Sequence, residues 1–302
     1  MFEDVFLFFQ NNHSALIIAV AIFGLMLGSF LNVVIYRYPV MLYREWESMA
    51  KDVLSERGFT ISPEKSPIDK DPETYTIVTP RSSCRNCGHK ITALENIPVL
   101  SYLALGGKCR GCKTPISIRY PMIEALTGAI FGLCAWKFGY GLELLVSLII
   151  SAYFVSMSMI DIDHQILPDN MTLPLVWLAL IAGLDDLFIP LEQAVIGAIS
   201  GYLALWTVYW LFKLLTGKEG MGHGDFKLLA AIGALVGWQK LGLVIILSAG
   251  AGALIGGGMM ILQNKSSQTK IPFGPYLAIA GWITLLWGDY LLDQYLQFAG
   301  LK

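Results

Sequence analysis

The sequence predicts an all-α polytopic membrane protein with about eight transmembrane helices. Three observations carry that expectation. Of the 302 residues, 55% are hydrophobic and only 15% charged, against about 25% charged in an ordinary soluble domain. The apolar residues form long blocks, such as Ala15–Tyr36 and Leu241–Leu262, near the roughly 20 residues needed to cross a bilayer. The basic residues are segregated: 13 of the 21 Lys and Arg lie between positions 37 and 119. Because charge is segregated, the net charge of −2 says little by itself. No nucleic-acid partner is expected, and the lipid bilayer is.

The N-terminus, "MFEDVFLFFQNNHSALI", carries two acids and no Lys or Arg. A cleavable secretory signal has a basic start and a small-residue cleavage site. The first span, 14–36, is therefore expected to be retained. Ser29 and Asn32 within it suit hydrogen bonding between helices. A polar segment, 37–119, follows. Its "YREWESMAKDVLSERG" stretch reads as an amphipathic helix, and "SPEKSPIDKDPETYTIVTP" as irregular. Seven further spans are expected at 120–138, 142–160, 170–185, 191–214, 225–238, 241–263 and 273–296. Pro272, Phe273, Gly274 and Pro275 break the entry to the last one. The organisation is a first transmembrane helix (1–36), a loop domain (37–119) and a seven-helix membrane domain (120–302).

Loops rich in Lys and Arg stay in the cytoplasm. With 37–119 on that side, threading eight spans puts 18 of the 21 basic residues at cytoplasmic loops and helix ends. Both termini then lie on the opposite, periplasmic side. The same threading brings Asp161, Asp163 and Asp169 to the face that receives Asp225. The spans after these acids are short. Thirteen residues, Phe226–Trp238, cover only about 20 Å of a hydrocarbon core about 30 Å thick. The acids are expected to be recessed beside a water-filled cavity, since irregular backbone at such depth needs one.

Within the polar loop, Cys84-Arg-Asn-Cys87 and Cys109-Arg-Gly-Cys112 form a C-x2-C-x21-C-x2-C pattern. Two C-x2-C turns can complete a tetrahedron of thiolates around Zn²⁺, a zinc-ribbon-like arrangement with no coordination position left for water, hence structural. Gly88 and Gly111 suit the turns. The competing reading is two disulfides, which a reducing cytosol disfavours. Cys134, inside the second span, reads as a packed thiol.

Each aspartate has an ordinary reading. Asp169, in "LPDNMTLPL", suits a helix cap or dipole partner, and Asp163 with His164 a solvated turn. Asp161 ends the apolar run "SAYFVSMSMI", where a carboxylate opposes the helix dipole. Asp225 follows Gly222-His223-Gly224, whose glycines permit close backbone approach or a positive φ. Acids at membrane depth are functional candidates. Two of them can share one proton, one activating water and the other protonating a scissile carbonyl. The same acids suit a transporter that relays protons or cations. No inverted repeat is found to favour the transporter, and a zinc ribbon gives one no obvious benefit. His223 reads as loop filler, and Lys227 as a side chain that snorkels or tunes Asp225.

The motifs combine into a resemblance. Gly222-His223-Gly224-Asp225 matches a GxGD pattern, and Asp161-Ile-Asp-His-Gln-Ile-Leu-Pro168-Asp169 resembles its partner. Around them stand "GSFLNVVIYRYP" (Gly28–Pro39), the paired C-x2-C turns, "ENIPVLSYL" (Glu95–Leu103), "RYPMIEALTG" (Arg119–Gly128) and "IPFGPYLA" (Ile271–Ala278). Together they resemble the bacterial type IV prepilin leader peptidase/N-methyltransferase family of GxGD intramembrane aspartyl proteases, over nearly the whole length. That resemblance implies a catalytic pair, Asp161 and Asp225, with Gly222 and Gly224 supporting the loop and Asp163 as the alternative to Asp161. It implies an inner-membrane enzyme with prepilins or pseudopilins as substrates. Their basic leader is cut at the cytoplasmic face and the new N-terminus methylated with S-adenosylmethionine. It places methylation in the N-terminal portion, with "ENIPVLSYL" and Glu124 as candidates; no Rossmann fingerprint is present.

Overall fold

A computed structural model describes residues 2–59, 75–263 and 272–300. Among them the regular structure is helical: α1 (Phe2–Asn11), α2 (His13–Glu56), α3 (Leu100–Ala104), α4 (Arg119–Phe138), α5 (Leu142–His164), α6 (Asp169–Leu184), α7 (Leu191–Thr216), α8 (His223–Val236), α9 (Leu241–Gln263) and α10 (Gly274–Phe298). Two isolated antiparallel bridges, Ser83 with Lys90 and Lys108 with Pro115, complete it.

The expected span positions reappear as helices, with changes at their ends. Four stretches among the described residues are long and apolar enough to cross a membrane: His13–Glu56, Leu142–His164, Leu191–Thr216 and Trp238–Ile255. Helix α6 is apolar but has only 16 residues, and α8 only 14. At 1.5 Å per residue they measure about 24 and 21 Å. The largest departure is α2, which does not stop near residue 36. It runs through Pro39 to Glu56, 44 residues in all. A single proline removes one backbone donor, while the Met, Leu, Arg, Glu, Ala and Lys that follow are good helix formers. The expected amphipathic segment is thus the end of α2, and the 36/37 boundary falls inside a helix. Most of "SPEKSPIDKDPETYTIVTP" lies outside the described residues.

The chain forms two compact units, Ile18–Gly132 and Met1–Ile17 with Leu133–Lys302. In the first, α2 and α4 approach through small residues. A Cβ on Gly24 would lie 2.7 Å from the Phe131 Cβ, and one on Gly28 2.8 Å from the Glu124 Cα. The Asn32 amide donates to Gly28 O at 3.2 Å and across to Tyr120 O at 3.1 Å, the interhelical bond its position suggested.

In the second unit α8 is the hub, packed against α6, α7 and α10. Its Phe226, Leu228, Leu229 and Ala230–Val236 are all buried, as befits a helix that is apolar all round. The α7–α8 contact is backbone on backbone. A Cβ on Gly197 would sit 2.0 Å from Gly233 O, and one on Gly201 2.4 Å from Leu229 O. Gly197 and Gly201 are four apart, so both face α8 from one side of α7.

Candidate functional site

Asp161 and Asp225, 64 residues apart in sequence, come together in the second unit. Asp161 lies in the last turn of α5 and Asp225 in the first turn of α8. They are 5% and 7% exposed. The α10 entry organises the pair. Pro275 starts α10, and the Gly274 N–H donates to Asp161 Oδ2 at 2.9 Å. The carboxylate that opposes the dipole of α5 thus meets the positive end of α10. Leu167, in the α5–α6 connection, fills the space between. A Cβ on Gly274 would lie 2.7 Å from Asp161 Oδ2 and 3.1 Å from Leu167 Cδ2, and one on Gly224 2.7 Å from Leu167 Cβ.

The glycines around Asp225 have different jobs. Gly222 precedes α8 with φ −82°, and neither it nor Gly224 adopts a positive φ. Gly224 is small because Leu167 is against it. At Gly222 an added Cβ would meet nothing nearer than 4.0 Å, where Asp225 Oδ2 stands, so space remains beside that carboxylate. His223 is more than filler: its ring packs on Tyr209 and Phe226, with centroids 5.2 and 5.3 Å away. The Tyr209 hydroxyl and Lys213 Nζ donate to Glu219 at 3.2 and 2.9 Å, tying down the loop before Asp225. Lys213 holds the Glu219 carboxyl below its usual range.

The remaining acids go elsewhere. Asp163 is exposed on α5. Asp169 begins α6 and pairs with Lys227 of α8; Pro168 occupies the cap position. Lys227 therefore ties α8 to α6 near the site. Sequence reading placed Gly274 only in a broken helix entry, with Pro275, a residue favoured at a helix start, and gave Leu167 and Glu219 no role.

The second centre lies in the Ile18–Gly132 unit. The sulfurs of Cys84, Cys87, Cys109 and Cys112 all lie within 4.8 Å of one another. Cys84 and Cys112 stand 3.8 Å apart, and Cys87 and Cys109 4.0 Å. Disulfide sulfurs would be about 2.0 Å apart. Four thiolates at about 2.3 Å from one Zn²⁺ would be about 3.8 Å from each other, so the donor set fits a tetrahedral metal. The two turns are near copies. Cys84 N–H donates to His89 O, and Cys109 N–H to Thr114 O, each at 2.9 Å. The left-handed position is Gly88 in one (φ 72°) and Lys113 in the other (φ 60°). Gly111 does not have it; a Cβ there would press on His89 Cβ at 3.2 Å.

Glu95 of "ENIPVLSYL" joins the turns, contacting His89 Nε2 at 3.1 Å and Arg110 Nη1 at 3.8 Å. The Thr92 N–H and hydroxyl hold its carboxyl down at about 2. Beside these turns the unit has an open pocket of about 700 Å³ that reaches Ser29 and Glu124.

The fold and its two centres define a class: an all-helical membrane protein with a buried carboxylate pair and a four-thiolate cluster. Family comparison refines this. Residues 22–138 match the bacterial peptidase A24 N-terminal domain, and 148–257 match the type IV leader peptidase family. A Stutzerimonas stutzeri protein named prepilin leader peptidase/N-methyltransferase is 50% identical, covering 97% of this chain and 98% of its own length. Proteins of that name from Pseudomonas aeruginosa and Neisseria gonorrhoeae are 51% and 47% identical, over 95% and 89% of this chain and 96% and 90% of their own. No solved structure matches. The chain belongs to the type IV leader peptidase family.

Proposed function

We propose that this chain is a bifunctional enzyme of the inner membrane. It cleaves the basic leader from type IV prepilins and pseudopilins, then N-methylates the exposed residue with S-adenosylmethionine. The observation that carries the proteolytic half is the meeting of Asp161 and Asp225, buried and close, with space left at Gly222. Relatives of the same name across nearly the full length support both halves and favour an enzyme over an ion-relay transporter.

The chemistry follows from the geometry. Two carboxylates this close do not both ionise readily, so they share one proton. The ionised member takes a proton from a water molecule; the protonated member donates to the oxygen of the scissile carbonyl as the water oxygen attacks its carbon. Collapse of the tetrahedral adduct breaks the C–N bond: the carboxyl that took the water proton gives it to the nitrogen, and a hydroxyl proton of the adduct returns to the other carboxylate, so that the pair again shares one proton. The Gly274 N–H fixes the orientation of Asp161 throughout. Gly222 leaves room for the substrate backbone, and Gly224 lets α8 start against Leu167.

The four cysteines hold a structural Zn²⁺ in this reading. The chain crosses the membrane about eight times. The zinc loop (37–119) and the aspartates face the cytoplasm, both termini the periplasm, and residues 120–302 carry the peptidase. Basic residues crowded into the loop and helix ends support that sidedness. One reaction tests the whole reading. Purified protein is incubated with a prepilin and methyl-labelled S-adenosylmethionine. A shortened, labelled product is expected; an intact, unlabelled prepilin would exclude it.

A further inference from the structure

Asp225 sits in the first turn of α8, behind a connection with little order of its own. Six residues, 217–222 (GKEGMG), join α7 to α8, and three of them are glycine, the residue with most backbone freedom to lose on folding. Gly217 closes α7 with φ 70°. Gly222 occupies the cap position of α8, which among the described residues receives no side-chain cap bond. No Ser, Thr, Asp or Asn at that position fixes where α8 begins. A contact from outside the loop must therefore set the place of Asp225. The Lys227–Asp169 pair grips α8 only after that residue.

Tyr209 of α7 makes that contact. It is buried. Its hydroxyl donates to Glu219 Oε1 at 3.2 Å and accepts from Lys213 Nζ at 3.2 Å, while Lys213 donates to the same Oε1 at 2.9 Å. Its ring packs on His223 and Phe226, with centroids 5.2 and 5.6 Å away. One side chain thus touches both the loop, through its hydroxyl, and the first turn of α8, through its ring. Gly220 completes the seat: a Cβ there would lie 2.9 Å from Phe212 Cδ1. The held positions, 219, 220, 223 and 226, stand on both sides of Asp225. An exposed Lys–Glu pair alone contributes little. A hydroxyl on a buried ring is already fixed in place, and a hydrogen bond to a charged acceptor is stronger than one between neutral groups.

We propose that Tyr209 and Glu219 are positioning residues for leader cleavage, a latch that holds the α7–α8 connection so that Asp225 is presented to Asp161. The proposal rests on the proteolytic reading above. Neither side chain meets the reacting atoms; both act through Asp225. A carboxyl that exchanges a proton with water or a carbonyl oxygen must stand within about 2.6–3.2 Å of it. With the latch open, the uncapped start of α8 frays and the Asp225 carboxyl leaves that reach for part of the time. The loss then falls on turnover and not on substrate binding.

The test is steady-state kinetics of prepilin cleavage by purified, full-length variants, with thermal unfolding in detergent beside it. Tyr209→Phe keeps the ring and deletes the hydroxyl. A misplacement near 1 Å can cost about 100-fold in rate, so with the ring still seated a fall of about tenfold in kcat is expected, KM and Tm staying near native. Glu219→Ala should fall by a similar factor. Glu219→Gln, whose amide oxygen still accepts the hydroxyl, should keep most of the native rate. The double variant Tyr209→Phe/Glu219→Ala should be no slower than the slower single one, because both changes open one link. Native kcat in both single variants, or losses that multiply in the double one, would overturn the latch. A kcat that falls only in step with Tm would overturn it too, as mere loss of stability. A native protein that leaves the prepilin uncut would overturn the proteolytic reading instead.

Discussion

Asp161 and Asp225 are conspicuous because a charge at the end of an apolar run has few ordinary reasons to be there. Their partner Gly274 was invisible in that role. It lies 113 positions from Asp161, and a backbone N–H contact leaves no trace in residue type. The contact makes a sharp test. In Gly274→Ala the new Cβ would sit 2.7 Å from Asp161 Oδ2, so the carboxylate must shift. A displacement near 1 Å can cost about 100-fold in rate. A fall of that order in kcat for leader cleavage, with KM little changed, is expected; an unchanged kcat would remove the orienting role from α10. Asp163, two residues on and exposed on α5, is the control. Asp163→Asn should keep substantial cleavage activity, and an inactive Asp163→Asn beside an active Asp161→Asn would reassign the pair.

Helix positions were legible because apolar blocks must be helices where backbone groups have no water. Helix ends were not. The end of α2 is set by the helix formers after Pro39, whose local preference outweighs one lost donor. Nor did hydrophobicity distinguish α8, which is wrapped by protein, from helices that face lipid, since both read as apolar. What marks α8 is its glycines. Gly197→Val on α7 would force a branched side chain into the Gly233 carbonyl, 2.0 Å from the Cβ alone. Overpacking costs about 1–3 kcal/mol or more. A Tm lowered by several degrees and a loss of cleavage in step with it are expected from thermal unfolding in detergent. An undisturbed Tm would mean that the α7–α8 interface tolerates separation. In the thiolate turns, spacing predicted the four ligands, but the left-handed position of the second turn fell to Lys113 rather than Gly111, since two residue types can fill one backbone role.

For the molecule as a whole, the sequence order of two family domains matches two compact units with different chemistry, a thiolate cluster with a pocket in one and a carboxylate pair in the other. Sidedness was argued from charge, a property of the whole chain that no single helix carries. Two centres imply separable losses. Cys84→Ser should release the metal, read as loss of zinc by elemental analysis, and destabilise the loop unit; a full zinc complement would refute the four-cysteine site. The central claim concerns the other unit. Its most direct test is leader cleavage by purified Asp161→Asn and Asp225→Asn proteins against native protein, with zinc content measured as the check on folding. Each amide variant should bind zinc and leave the prepilin uncut. Full cleavage by either one would contradict the carboxylate pair.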